Sequence, residues 1–186
     1  MTEQKLRKAA IELFIEHGYE GTSIAKIVQK VGIRKSSFYA HFKSKGELFL
    51  AVFKEAVGKE SDRISEIEKQ LAEKEPVMQL HEMFKNLSDP QNGGMETHFL
   101  HRMLFYPPTE FKREMKVIFG EMEGEASQII RKKIAETAKN ADDTENLLAV
   151  FYALIDGLSI ETHLYTEAEY KKRLQAAWTV FRGNLK

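Results

Sequence analysis

The chain has 186 residues, 42% of them hydrophobic and 30% charged, and its 28 basic and 28 acidic side chains cancel to a formal net charge of zero. That composition excludes a disordered or membrane-embedded chain and leaves room for one large helical domain, or a small domain joined to a mid-sized one. The absence of cysteine excludes a disulfide framework, a thiolate metal site and a cysteine nucleophile, and suits a cytoplasmic protein.

The zero net charge conceals a division. Residues 1–50 hold nine Lys and Arg against five Glu, a surplus of +4, and the rest of the chain carries the compensating −4. A basic N-terminal unit on an acidic body fits a phosphate-binding head on a regulatory domain. The opening MTEQKLRKAA lacks the apolar stretch of a secretory signal and no later run approaches a membrane span, so neither export nor insertion is expected.

With only four prolines and no strand-type alternation, the chain predicts an all-α fold of about nine helices. Leu6, Ala9, Ala10, Leu13 and Phe14 recur at helical spacing, and Gly18 stands at the C-cap position. Thr22 or Ser23 caps a short second helix carrying Ile24, Ile27, Val28 and Val31, which Gly32 ends. A third helix is expected over 34–42, with Phe38 and Phe42 inward. Ser44 and Glu47 then form a capping-box pair opening a fourth that runs to about residue 72. Further helices follow over 77–87, 95–104, from Pro107 and Pro108 to about 138, 144–164 and 167–183.

The stretch GTSIAKIVQKVGIRKSSFYAHFKSKGELF thus reads as two short helices around a tight glycine turn, the spacing of a helix-turn-helix. It resembles the N-terminal domain of the tetracycline-repressor (TetR) family. The likeness rests on Leu13, Phe14, Gly18, Tyr19, Thr22, Ser23, Ile27, Val31, Gly32, Phe38, Tyr39, His41, Phe42, Lys43, Lys45, Leu48 and Phe49. It covers about the first 50 residues; beyond them it rests on helix order and the Asp-Gly-Leu at 156–158. The resemblance implies a three-helix DNA-binding domain over 1–46 and a helical ligand-binding and dimerisation domain over 47–186. The implied function is a homodimeric, ligand-responsive regulator, most simply a repressor released from double-stranded operator DNA by a small-molecule effector.

Helix geometry then assigns roles. Lys35, Ser36 and Ser37 open the recognition helix, whose early residues reach deepest into the major groove and face base edges. Tyr39 and His41 reach flanking phosphates, Lys45 adds a charge contact, and Ser23 holds a phosphate across the groove. Arg34 stands where the family commonly has a helix-capping Ser or Thr, which frees it for DNA.

In the C-terminal part, small Ala149, Ala153 and Gly157 recur at spacing four, and Leu174, Trp178 and Phe181 lie on an apolar stripe. Both features suit a two-fold helical dimer interface. Between head and interface six of the seven methionines mix with aromatics, and the resemblance implies an effector pocket there for an apolar or aromatic molecule. Its expected lining is Met83, Met95, His98, Phe99, Arg102, Met103, Tyr106 and Met122. His98 and His101 share a helix face and could be joined by His81 or His163, but no carboxylate is fixed beside them, so hydrogen bonding to a ligand is preferred over zinc. No phosphate-binding glycine loop, nucleophile elbow or carboxylate–histidine metal motif occurs, so no catalytic residue, metal or cofactor is expected.

Overall fold

A computed structural model describes residues 2–186 and all their side chains but those at 122, 123 and 125. Among the described residues the fold is all helical, with nine α-helices and one isolated antiparallel bridge, Ala138 to Leu185. The helices are α1 (Thr2–His17), α2 (Ile24–Val31), α3 (Lys35–Tyr39), α4 (Lys45–Gln70), α5 (Pro76–Ser88), α6 (Met95–Phe105), α7 (Lys112–Thr137), α8 (Thr144–Glu161) and α9 (Glu167–Arg182). Among these residues no helix is long and apolar enough to cross a membrane.

Two boundaries differ from expectation for local reasons. Helix α3 stops at Tyr39 rather than 42, because Ser44 accepts from the Glu47 N–H at 3.0 Å and Glu47 reaches back to the Lys43 N–H, so α4 begins almost at once. Pro107 and Pro108 do not start α7; a 3₁₀ turn, Thr109–Phe111, intervenes.

The chain forms two compact units, Met1–Glu60 with Gly94–Met122 and Ser61–Gly93 with Glu123–Lys186, a different partition from a cut after residue 46. In the first, α1 buries Leu6, Ala9, Ala10, Ile11, Leu13 and Phe14, and the Phe14 ring meets Tyr19, Phe49 and Phe99 at 5.8, 5.5 and 6.1 Å between centroids. Phe99, Leu100 and Met103 of α6 and Met115 of α7 complete this core. Each such side chain contributes about 1.5–3 kcal/mol by leaving water.

The second unit is built on α5, α8 and α9. Phe84, Phe151, Trp178 and Phe181 form its aromatic centre, and the Tyr170 hydroxyl donates to the buried Ser88 carbonyl at 3.0 Å. The C-terminus is pinned back on the end of α7, where the Lys186 N–H donates to the Thr137 carbonyl at 2.8 Å.

Candidate nucleic-acid interface

Local chemistry holds the two short helices of the motif in place. Ser23 caps α2 by accepting from the Lys26 N–H at 3.3 Å. The buried Thr22 hydroxyl lies 2.8 Å from the Gly18 carbonyl and 3.1 Å from that of Leu13, tying the turn to α1. At the far end Gly32 adopts φ +75°, ψ 34°, the left-handed cap that only glycine takes without cost, and Ile33 returns its N–H to Val28. Helix α3 is then anchored by Phe38, fully buried against Phe42 at 6.0 Å.

Anchoring Phe38 turns the opposite face outward. Lys35, Ser36 and Tyr39 fall within one 100° arc at the helical rotation per residue, and all three are exposed, Tyr39 at 55%. Arg34 precedes them with no side-chain capping bond, and His41 is exposed just beyond. Ser37 is half-buried, which leaves Lys35 and Ser36 as the better placed of the expected base readers. Among the described residues, no hydrogen bond or ion pair engages the side chains of Arg34, Lys35 or Ser36. Lys26 and Lys30, by contrast, are held by the Gly21 carbonyl at 2.8 Å and Glu12 at 2.9 Å. A short helix presenting unengaged cations and hydroxyls beside a phenol and an imidazole can bond base edges and phosphates together.

Residues 6–52 match the profile of bacterial regulatory proteins of the tetR family. These residues form a TetR-family N-terminal domain. The uncharacterized HTH-type transcriptional regulator YerO of Bacillus subtilis is 40% identical over 78 residues, 41% of this chain and 27% of that protein. The matched region spans less than half the length of this and other curated relatives. Over the whole length the fold is shared with solved structures. A transcriptional regulator from Saccharomonospora viridis in complex with choline has TM-score 0.79 at 18% identity, covering 98% of this chain and 96% of that one. FadR from Bacillus subtilis in complex with stearoyl-CoA has TM-score 0.73 at 18% identity, covering 96% of each.

Within the TetR-family head, Lys45 is employed differently from its expected phosphate contact. Its ammonium donates to the carbonyls of Tyr19 and Thr22 at 2.8 and 3.0 Å and stands 3.7 Å from the centre of the Tyr19 ring. It joins α4 to the turn before α2, a role invisible in sequence because the partners lie 23 and 26 residues away.

The residues expected to line an effector pocket are distributed over both compact units. Phe99 and Met103 are buried in the core around the TetR-family head, with Met95 and His98 half-buried in the same unit, whereas Met83 is buried in the other. Tyr106 is 81% exposed, and Arg102 lies with a guanidinium nitrogen 3.5 Å from where a Gly18 Cβ would stand. Met122 lies outside the residues whose side chains are described. His98 and His101 fall in one unit and His81 and His163 in the other, and among the described residues no three His, Asp or Glu converge as metal ligands.

The expected dimerisation residues all lie in the second unit and divide by burial. Trp178 and Phe181 turn inward, the indole stacking on His81 at 4.6 Å, and Leu174 is half-buried against the same core. Their apolar character fills this subunit's own interior. Ala149, Ala153 and Gly157 stay exposed on α8, alongside Val150 and Ile160, and α9 exposes Val180 at 74%. A Cβ built on Gly157 would meet nothing within 4 Å.

Proposed function

We propose that the chain is a DNA-binding transcriptional regulator, most simply a repressor that leaves its operator when a small molecule binds, and not an enzyme. The observation that carries this reading is the outward face of α3. Among the described residues no hydrogen bond or ion pair engages the side chains of Arg34, Lys35 and Ser36, and Tyr39 and His41 are exposed beside them, on a helix-turn-helix whose geometry Gly32 and Phe38 fix. Lys35 and Ser36 read bases, with Ser37 at the margin; Tyr39, His41 and Ser23 bond phosphates; Arg34 reaches either.

A single recognition helix yields little sequence information, so the working form is a homodimer whose two heads address half-sites about one DNA turn apart. The exposed Ala149, Val150, Ala153, Gly157 and Ile160 row on α8, with Val180 on α9, supports a second copy as the occupant of that face. The small side chains let a facing helix approach closely. An apolar or partly apolar effector is supported by fold neighbours solved with stearoyl-CoA and with choline. Its effect is a population shift bounded by its differential affinity for the two states of the dimer. A cytoplasmic location follows from this role.

The test is titration of duplex DNA from upstream of the protein's own coding sequence at several salt concentrations. Tight binding that weakens steeply with salt is expected; no salt-dependent binding to that DNA or to any selected duplex ends the regulator reading.

A further inference from the structure

Within the first unit the Phe111 side chain packs segment 94–122 against Tyr19, before α2, and Phe49 of α4. Phe111 ends the 3₁₀ turn Thr109–Phe111, meets Tyr19 edge-on with centroids 5.4 Å apart at 90°, and stacks on Phe49 at 5.3 Å. Gly46, in the first turn of α4, makes the room: a Cβ there would stand 2.5 Å from Phe111 Cζ. Tyr19 is nearly buried, and its ring lies under the Lys45 ammonium, which in turn holds the carbonyls of Tyr19 and Thr22. Thr22 directly precedes Ser23, the cap of α2. Burial first, and the nearby Glu110 carboxylate second, push the Tyr19 hydroxyl above its ordinary range. A continuous path therefore runs from the turn after Pro107 and Pro108 to the N-terminus of α2.

We propose that Phe111, seated in the Gly46 notch, is a positioning residue for DNA binding, fixing Tyr19 and Lys45 and through them the placement of α2 and α3. The inference rests on the DNA-binding reading. Displacement of residues 107–112 is then felt in the head as a loss of operator geometry, and Lys45 acts as a joint within the head before it acts as a surface charge.

The test uses Phe111→Ala, Phe111→Leu, which keeps a large apolar side chain, and the stem-keeping Lys45→Met in the full chain. The probe is a duplex selected by wild type from a random-sequence pool, with a scrambled duplex beside it. Phe111→Ala should bind the selected duplex about tenfold more weakly with an unchanged salt slope, since no charge is removed, and Phe111→Leu should recover most of the loss. In the free protein, amide exchange over 24–39 should quicken about tenfold in Phe111→Ala and Lys45→Met while residues 6–14 of α1 keep their protection. A uniform rise across α1, α2 and α4 marks ordinary core packing and overturns the proposal. So does Phe111→Ala that binds within about twofold of wild type with unaltered exchange. Should wild type select no duplex, the DNA-binding reading fails by itself, and the exchange comparison still decides whether Phe111 positions α2 and α3.

Discussion

Replacing Gly32 by Ala isolates the backbone requirement of the helix-turn-helix from every side-chain contact. Gly32 sits at φ +75°, ψ 34°, and a Cβ built there meets nothing within 4 Å, so the substitution carries a conformational cost and no steric one. An L-residue with a Cβ costs about 1–2 kcal/mol in the left-handed region, and the stiffer unfolded chain of alanine returns about 0.4–1 kcal/mol. The net loss is about 1 kcal/mol, or roughly 2–4 °C in melting temperature for a chain of this size. The only tryptophan, Trp178, lies in the other unit, so far-ultraviolet circular dichroism in urea is the appropriate signal. Gly32→Asn should lose about half as much, because asparagine enters the left-handed region more readily. The reasoning is refuted if alanine costs nothing, if asparagine is no better than alanine, or if the loss exceeds about 3 kcal/mol, beyond anything the dihedral supplies.

Tyr39→Ala should weaken binding to selected and scrambled duplexes alike, by about 1 kcal/mol per half-site in fluorescence anisotropy; a changed sequence preference would place Tyr39 on bases instead. Ala153→Glu puts a charge in the middle of the exposed α8 row and should turn the proposed dimer into a folded monomer by analytical ultracentrifugation, whereas a persisting dimer moves the interface elsewhere. Burial first, then the Lys85 charge, hold the His81 imidazole below its ordinary pKa, against an opposing pull from Glu82. The stability this neutrality supplies is present above the unfolded value near about 6.5 and is lost as pH falls through the lower folded value. Between about pH 7.5 and pH 5 the wild type should therefore lose more urea resistance, read by Trp178 fluorescence, than His81→Phe, which keeps a ring on the indole; equal losses would refute the assignment.

What was legible in the sequence is what short-range chemistry decides. Ser23 and Gly32 bracket α2 where a capping serine and a left-handed glycine belong, and Ser44 accepts from the Glu47 N–H where α4 opens. Phe42 keeps helical spacing with Phe38, which extends α3 to 42 on periodicity alone, yet the competing cap at Ser44 ends the run earlier. Lys45 looked like a phosphate ligand because a cation near a helix start usually is one, and nothing in sequence places the Tyr19 and Thr22 carbonyls beneath it. Trp178 and Phe181 share a stripe with Leu174, but periodicity alone does not say whether a stripe faces the subunit's own core or a second copy.

Several residues read from the sequence as an effector lining are core residues of the first unit. Thioethers and aromatic rings suit a pocket and a core equally well, and here Phe99, Leu100, Met103 and Met115 close the core around the DNA-reading helices, Phe99 meeting Phe14, Phe49 and Phe53 at 6.1, 6.1 and 6.4 Å. Burial of those four side chains is worth roughly 6–12 kcal/mol before entropy is set against it, comparable to the whole stability of a small domain. The head is therefore not self-contained at residue 46 or even at 60. Residues 1–60 made alone should show little of the helix content that the same residues hold in the full chain; a cooperative, native-like melt of that fragment would break the argument. If the fragment is unfolded as expected, any rearrangement of 94–122 acts directly on the core that holds the helix-turn-helix.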